Sequence, residues 1–164
     1  MYRVIKVLNN NGVLAFDMDK SREVIFLGNG AGFGKKTGER FAQIKGASSY
    51  AAEPRGDAGS ALKAVNGMDP VFLEVTGKII DEAEKRFQNV SRDVLLPLAD
   101  HIALAVQRAR EGKEFPNPFN QDIRAMFPQE YLAAEQGKQM IEEATGQKLS
   151  DDETGLITLH IHAA

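Results

Sequence analysis

The sequence predicts an α+β protein: a small antiparallel β-sheet domain in residues 1–60, followed by an all-α bundle of five helices in residues 61–164. Two observations lead to this division. Short β-branched and apolar segments alternate with turn residues over the first 40 positions, whereas apolar residues recur at helical spacing from Asp69 onward. A chain of 164 residues that is 43% apolar is long enough to bury two small cores.

The sheet is predicted from strand segments that are separated by turns. Asn11-Gly12 is the strongest short hairpin signal in the chain, because both residue types tolerate the positive φ angles of a tight hairpin turn. A sheet built from the first 40 residues alone is small, so pairing with a second copy of the chain is expected to help bury its core. The predicted strands are Tyr2–Leu8, Val13–Phe16, Glu23–Leu27 and a fourth near Phe33–Lys36.

The segment from Phe41 to Asp69 has no sustained periodicity and is rich in glycine, alanine and serine. This composition predicts a mobile end to the sheet and then a linker, with a short helix near Ser60–Val65. We therefore place the domain boundary between residues 60 and 61.

Caps and breakers delimit the five predicted helices. Asp69-Pro70 supplies an N-cap and a first-turn proline for the first helix. Pro97 predicts either a kink in the second helix or a later start. Ser150 and Glu153 have the spacing of a capping box, in which each side chain bonds the other residue's amide. The predicted helices run from Pro70 to about Phe87, from Ser91 to about Glu111, from the connector EFPNPF (114–119) to just before Pro128, from Pro128 to Gly146, and onward from Ser150.

Four glycines lie within seven positions of the stretch LGNGAGFGKKTG (27–38), together with Phe33 and the pair Lys35-Lys36. Glycine is favoured where φ is positive or where another molecule approaches the backbone closely. The stretch is not a Walker loop, because Asn29 stands where that motif needs glycine, and the dinucleotide-binding pattern also fails. Two interpretations remain open: a phosphate-binding loop with bare amides, two cations and a stacking ring, or a glycine-rich hairpin with a solvated basic end.

Charge and composition narrow the class of protein. The first 40 residues carry seven Lys or Arg against four acids, whereas the remainder has a net charge of −6. A basic head on an acidic body is typical of a protein that binds a phosphate backbone. The absence of cysteine excludes disulfides, thiol catalysis and thiolate metal sites. There is no apolar run of about 20 residues and no signal-peptide core, so a soluble, cytoplasmic protein is expected.

Three histidines are available for chemistry: His101, His160 and His162. A helical wheel places His101 beside apolar residues such as Leu98 and Leu104, which predicts a partly buried ring in an apolar surround. Each histidine can equally be a hydrogen-bonded residue at the edge of a core. No spacing matches a metal-ligand pattern, and no serine nucleophile motif is present. We therefore expect no catalytic residue, metal or cofactor, and no enzymatic activity.

Six motifs follow one another along the chain: LNNNG, GNGAGFGKKTGE, LADHIALAVQR, NPF, FPQEY and DETGLITLHIHAA. In this order they resemble the signatures of the BglG/SacY/LicT family of transcriptional antiterminators, and only residues 42–68 match poorly. The resemblance implies an RNA-binding sheet domain, the co-antiterminator (CAT) domain, which works as a homodimer. It also implies that the helical part is the first PTS regulation domain.

Members of that family bind a hairpin in nascent mRNA and prevent the overlapping terminator from forming. Phosphorylation of histidines in their regulation domains by the phosphoenolpyruvate:sugar phosphotransferase system (PTS) sets their activity in response to sugar. The resemblance therefore implies three partners besides a second copy of the chain: an RNA hairpin, the PTS phosphocarrier protein and sugar permease components. No membrane contact is implied.

The family's RNA-contacting positions fall in the first turn and the glycine loop of this chain. Asparagine amides can read base edges, the ring of Phe33 can stack on an unpaired base, and lysines neutralise phosphates. The phosphoacceptor histidines correspond to His101, in LADH, and His160, in LHIH, whereas His162 is structural or incidental. The implied RNA-binding residues are Lys6, Asn9, Asn10, Asn11, Gly28, Asn29, Gly30, Phe33 and Lys35.

Three departures from the family pattern are visible. Ala99 replaces the threonine that usually precedes the first phosphoacceptor, and Asn29 replaces an arginine or lysine common in the loop. Members normally carry a second, similar regulation domain, whereas this sequence stops just after His160. Two other functions remain open: a histidine phosphorelay protein without RNA binding, or a DNA-binding regulator, although no basic recognition helix is visible.

Overall fold

The computed structural model describes residues 1–52, 60–87 and 90–163. The chain divides into two compact units, Met1–Glu74 and Val75–Ala164, which we call the sheet unit and the helical unit. The domain boundary predicted between residues 60 and 61 stays a prediction, since residues 53–59 of the predicted linker lie outside the described part of the chain.

The sheet unit is built on an antiparallel sheet of five strands in the order β4-β1-β2-β3-β5. The first three strands were predicted within two residues at each end, because their β-branched and apolar residues alternate between the two faces of the sheet. The strands are β1 (Tyr2–Asn9), β2 (Gly12–Asp17), β3 (Arg22–Leu27), β4 (Arg40–Phe41) and β5 (Ser48–Ala51).

The predicted first hairpin is confirmed, but its turn lies one residue earlier than expected. Asn9 pairs with Gly12, so that Asn10 and Asn11 form the loop and Gly12 is the first residue of β2. Neither asparagine has a positive φ angle, so this is not the mirror-image turn that Asn-Gly favours. An irregularity in the pairing register at Leu8 adds the local twist that joins the two strands.

Both faces of the sheet are buried. On one face, Tyr2, Phe26 and Phe41 stack or meet edge to face, with ring centroids 4.9 to 5.5 Å apart. On the other, Leu14 and Ile25 are opposite each other in the register and fully buried. The short helix α1 (Ser60–Asn66), which was predicted near Ser60–Val65, is bonded to this sheet at its last residue: Asn66 accepts a hydrogen bond from Lys6, whose register partner is Leu14.

The fourth strand predicted near Phe33–Lys36 is wrong. Residues 28–34 form successive turns, and the chain reaches the sheet edge only at β4. The segment Phe41–Asp69, predicted as a mobile end to the sheet and a linker, contains a strand that was not predicted: β5 pairs with β3 and fully buries Tyr50. This strand, Ser48–Ala51, contributes only one large apolar residue to the core, too few for an alternating pattern to be visible in the sequence.

Among the described residues, five α-helices follow residue 69, as predicted. Asp69 caps the first of them through a 3.0 Å hydrogen bond from the amide of Val71 to its carboxylate. Ser91 caps a short 3-10 turn, and the next helix starts only at Leu95, so Pro97 lies in its first turn, where no backbone donor is needed. The helices are α2 (Pro70–Arg86), α3 (Leu95–Arg110), α4 (Asn120–Met126), α5 (Pro128–Thr145) and α6 (Asp151–Ala163).

The predicted capping box at the start of α6 is wrong. The amide of Ser150 donates to the carboxylate of Glu114 at 2.9 Å, so a residue 36 positions away provides the cap. The Ser150 hydroxyl is buried without a hydrogen-bond partner among the described residues. Glu153 is not available to complete the box, because its carboxylate binds two side chains of α3, described below.

Candidate functional site

The glycine loop, residues 28–38, folds back against the first hairpin. A methyl group at Gly28 would lie 2.8 Å from the Ala47 backbone, and one at Gly32 would overlap the Asn9 carbonyl oxygen. Gly30 and Gly34 instead have φ angles of 77° and 74° and open space around them. Two of the four glycines therefore allow close packing within the protein, and two allow left-handed backbone.

Most amides of this loop are used inside the protein. The amide of Gly28 donates to the Asn11 carbonyl, that of Gly30 to the Asn11 side-chain oxygen, and that of Gly32 to the Asn10 carbonyl, each at 2.9 Å. Three further amides, of Ala31, Phe33 and Lys35, close turns within the loop. The expectation that the loop presents bare amides to a phosphate is wrong for these six groups, since a backbone donor folded into a turn already has its acceptor.

The loop presents the aromatic ring of Phe33 to solvent instead of bare amides. The side chain of Phe33 is 75% exposed at the surface of the sheet unit, and Asn29, Gly30 and Lys36 of the same loop are exposed with it. A large apolar side chain held in solvent by a hydrogen-bonded loop is suited to stacking on a flat ligand such as a nucleobase.

The two lysines predicted to contact RNA are engaged within the sheet unit. Lys35 forms an ion pair with Glu39 at 3.2 Å and lies over the ring of Phe41, with its ammonium 5.0 Å from the ring centroid. Lys6 donates to Asn66. Lys36 is exposed and its ammonium has no partner among the described residues. Lys36 is not one of the residues predicted to contact RNA, although it belongs to the Lys35-Lys36 pair noted in the sequence.

The three predicted asparagines differ in what their side chains do. Asn9 accepts a hydrogen bond from the amide of Asn11 at 2.9 Å, and Asn11 accepts one from Gly30. Asn10 is exposed, and its side chain has no hydrogen-bond partner among the described residues. Asn9 and Asn11 therefore shape the turn and the loop, while Asn10 is free to bind a partner.

A second cluster lies in the helical unit, where α3 and α6 meet. The Nε2 atom of His101 is 3.1 Å from one carboxylate oxygen of Glu153, and an Arg108 guanidinium nitrogen is 3.3 Å from the other. The ring of His160 lies 4.9 Å from that of His101, centroid to centroid. The structure thus brings together the two predicted phosphoacceptors and adds two residues that the sequence analysis did not identify as functional.

Charge is balanced around a buried carboxylate in this cluster. Glu153 is 1% exposed, and burial alone would raise its pKa, but hydrogen bonds and charge from His101 and Arg108 outweigh burial and hold that pKa below its ordinary value. Burial, and then the neighbouring His101, lowers the pKa of His160. Glu153 is therefore ionised near neutral pH, and His160 is neutral.

The partial burial predicted for His101 is confirmed, but its surround is not purely apolar. The side chain is 19% exposed, and its contacts are the Glu153 carboxylate and the His160 ring. Leu104, which the helical wheel placed beside it, is 48% exposed. A wheel describes only one helix, and the acidic partner comes from α6, 52 residues further along the chain.

His162 forms a separate contact at the end of α6. Its ring stacks on Phe127 with centroids 3.9 Å apart, and its Nδ1 atom is 2.9 Å from the Glu130 carboxylate. This pairing joins the end of α6 to the start of α5, a position that fits the structural role predicted for His162.

The NPF motif packs against the start of α6. Asn117 donates to the backbone oxygen of Asp152 at 3.3 Å, and Asn120 donates to the hydroxyl of Tyr131 at 3.0 Å. A methyl group at Gly155 would overlap the side-chain oxygen of Asn120. The connector thereby fixes the helix that carries Glu153.

Two features are absent from the residues that the structure describes. No group of three His, Asp or Glu side chains there is placed to hold a metal ion. Within the same ranges, no helix is both long and apolar enough to cross a membrane.

Comparison with known families gives two matches. Residues 2–51 match the family described as the CAT RNA binding domain, and residues 77–164 match the PRD domain. The second match covers more than half of the chain. The two matched segments correspond to the five-stranded sheet and to the helices that carry the histidine cluster.

Several curated proteins are similar along nearly the whole chain. Transcription antiterminator LicT of Bacillus subtilis (strain 168) is 26% identical over 97% of this chain and 57% of its own length. Protein GlcT of Staphylococcus aureus (strain Newman) is 30% identical over 98% of this chain and 57% of its own length. The GlcA/glcB genes antiterminator of Staphylococcus carnosus (strain TM300) is 27% identical over 98% and 56%. The chain therefore spans a little over half the length of these relatives.

A solved structure has the same fold. The crystal structure of GlcT CAT-PRDI superposes with a TM-score of 0.79 at 30% sequence identity, and the match covers 99% of this chain and 97% of that one.

Proposed function

We propose that this chain acts as a transcriptional antiterminator. The reason is that it belongs to the PRD family and carries a CAT RNA-binding domain in front of its PRD domain. In this role it binds a hairpin in nascent mRNA and keeps the overlapping terminator from forming. It is a regulator rather than an enzyme, and it acts in the cytoplasm as a homodimer. The observation that carries the proposal is the exposed ring of Phe33 on a loop that the first hairpin holds in place.

RNA binding is proposed to combine stacking with charge. Phe33 stacks on an unpaired base of the hairpin, and the free amide of Asn10 reads a base edge. Lys36 neutralises phosphate, and Lys35 contributes positive charge from its place beside Glu39. The other predicted contact residues, Lys6, Asn9, Asn11, Gly28, Asn29 and Gly30, approach the RNA mainly through the shape of the turn and loop.

Regulation is proposed to act on the histidine cluster. The PTS phosphocarrier protein or sugar permease components transfer a phosphoryl group to His101 or His160. A phosphoryl group carries a charge of about −1.5 to −2 near neutral pH. Glu153 already holds a buried negative charge within hydrogen-bonding distance of His101, so the added charge repels it and repacks α3 against α6.

The RNA-binding part is tested by comparing two phenylalanines with similar exposure. Phe33→Ala is expected to weaken binding of a leader RNA hairpin by about 5- to 150-fold, which corresponds to about 1–3 kcal/mol of stacking on one base. Phe119→Ala removes a ring that is 64% exposed in the helical unit and should leave affinity unchanged. Equal affinity for the wild type and Phe33→Ala would remove the loop from the RNA site.

Two other functions, a DNA-binding regulator and a histidine phosphorelay protein without RNA binding, are distinguished by the same binding assay and by mass spectrometry. A duplex DNA competitor that displaces the RNA hairpin would favour a DNA-binding regulator. Phosphoenolpyruvate, the general PTS enzyme and the phosphocarrier protein are then supplied to the full chain, and the modified residues are identified. Phosphotransfer through the histidines in a protein with no affinity for RNA would favour a phosphorelay. Modification of neither His101 nor His160 would contradict the proposed regulation.

A further inference from the structure

Glu153 contacts only one of the two ring nitrogens of His101. The carboxylate oxygen lies 3.1 Å from Nε2, and its partner oxygen is held by Arg108 at 3.3 Å. Arg108 in turn lies over the ring of Phe115, with 5.3 Å between the guanidinium carbon and the ring centroid. The carboxylate is therefore fixed at both oxygens, and its position relative to the imidazole is set by the packing of α3 and α6.

This contact determines where the imidazole carries its proton. A neutral imidazole has one N–H donor and one nitrogen with a free lone pair. An ionised carboxylate is only an acceptor, and the charges and hydrogen bonds around Glu153 hold its pKa low enough to keep it ionised. The hydrogen bond therefore requires the proton on Nε2, and the lone pair lies on Nδ1.

The other nitrogen is available to a donor. Nδ1 of His101 has no hydrogen-bond partner among the described residues. It also differs from the unpaired side-chain atoms that are buried there, because it remains accessible to solvent. The side chain retains 19% exposure. Nδ1 is thus the ring nitrogen that has both a lone pair and access to solvent.

We propose that Glu153 is a positioning residue that directs the phosphoryl group to Nδ1 of His101. This inference rests on the proposed function, since it specifies the atom modified in the regulation described above. The lone pair of Nδ1 attacks the phosphorus of a phosphohistidine on the donor protein. A new N–P bond forms at Nδ1 as the donor's N–P bond breaks, and the donor imidazole recovers its lone pair. The proton stays on Nε2, where the carboxylate of Glu153 stabilises the positive charge that develops on the ring.

His160 lacks this constraint. Its ring lies beside His101, but no carboxylate contacts either of its nitrogens among the described residues. Neither tautomer is selected, so a phosphoryl group on His160 is not restricted to one nitrogen. The two histidines of the cluster therefore differ in the isomer of phosphohistidine that they form.

The test uses the full chain labelled with ¹⁵N-histidine. Long-range ¹H–¹⁵N spectra at a pH where the imidazoles are neutral report which nitrogen of His101 carries the proton. The same spectra after phosphorylation by the phosphocarrier protein report which nitrogen carries phosphorus. Glu153→Gln keeps the shape of the side chain, but Arg108 holds the amide oxygen, so an NH₂ donor faces Nε2 and the proton is no longer required there. Glu130→Gln is the matched control, because Glu130 makes an equivalent contact with Nδ1 of His162.

We expect the Nε2–H tautomer and only the Nδ1 isomer at His101 in the wild type and in Glu130→Gln. In Glu153→Gln we expect both isomers, with phosphorylation of His101 slowed at least fivefold and that of His160 unchanged. A proton on Nδ1 of His101, or phosphorus on Nε2 of the wild type, would overturn the inference even while the proposed regulation holds. An Nε2–H tautomer in a protein that takes no phosphoryl group would instead overturn the proposed regulation and, with it, the directing role of Glu153.

Discussion

The side-chain oxygen of Asn11 accepts a hydrogen bond from the amide of Gly30 at 2.9 Å, across 19 residues of sequence. Its backbone carbonyl also accepts from Gly28. The turn between the first two strands is therefore bonded directly to the loop that presents Phe33. The stacking surface depends on this contact, together with the bonds from the Gly32 amide to the Asn10 carbonyl and from the Gly38 amide to the Val4 carbonyl of β1.

Asn11→Ala is expected to lower the free energy of unfolding by about 0.5–1.5 kcal/mol, the usual net value of one hydrogen bond. RNA affinity should fall as well, because an unclamped loop must be ordered on binding. Chemical denaturation and hydrogen exchange of the Gly30 amide measure the two effects. Asn10→Ala is the control for stability, since its side chain is exposed and only its backbone oxygen serves the loop. Unchanged protection of Gly30 in Asn11→Ala would contradict the clamp.

Gly32→Ala is expected to destabilise the chain more than Gly30→Ala. A methyl group at Gly32 would overlap the Asn9 carbonyl oxygen, so the hairpin must move, at a cost of about 1–3 kcal/mol or more. Gly30 has open space and only a positive φ angle, which costs about 1–2 kcal/mol for alanine. The midpoint of urea denaturation measures both. A Gly30→Ala protein less stable than Gly32→Ala would show that the loop does not pack on the hairpin as described.

Lys36→Gln is expected to reduce the salt dependence of RNA binding more than Lys35→Gln. The ammonium of Lys36 has no partner in the part of the chain that the structure describes, whereas that of Lys35 is paired with Glu39 at 3.2 Å. Loss of one phosphate contact lowers the slope of log affinity against log salt by about 0.7–0.9. Fluorescence anisotropy at several salt concentrations gives the slopes, and the reverse order would indicate that Lys35 leaves Glu39 when RNA binds.

His160→Gln is expected to make stability less sensitive to acid. Burial lowers the pKa of His160 below its ordinary value of 6.5, so the unfolded chain binds this proton first as the pH falls. Its contribution to stability is therefore complete above pH 6.5 and is lost as the pH falls from there to the folded pKa. The free energies of unfolding of the wild type and His160→Gln are measured from pH 7.5 downward. The difference between them should shrink as the pH falls below 6.5. A constant difference, or one equal to that of His162→Gln, would contradict this assignment.

The elements predicted correctly are those that local sequence specifies. Three strands and five helices have apolar periodicity and turn or cap residues of their own, such as Asp69 before α2. The elements predicted wrongly depend on partners elsewhere in the chain. β5 forms because it pairs with β3 at the edge of the sheet. The amide of Ser150 donates to the carboxylate of Glu114 rather than to that of the nearby Glu153.

The candidate sites show the same division. The glycine loop, the asparagine turn and the two phosphoacceptor histidines were identified from motifs, and their contacts with RNA and phosphoryl donors stay predictions. Glu153, Arg108 and Lys36 were not identified, because their roles follow from which neighbours are bound and which are free. Of these three residues, only Lys36 was marked by a local pattern, the Lys35-Lys36 pair.

Local patterns specify an antiparallel sheet, a helical bundle and the residue types that can stack on bases or accept a phosphoryl group, because periodicity and caps act over a few residues. Only the folded chain shows that the Gly30 amide bonds the side chain of Asn11 and that Nε2 of His101 meets the carboxylate of Glu153. Those properties depend on atoms that are 19 to 52 residues apart in the chain and within hydrogen-bonding distance in space. No local pattern encodes such a distance.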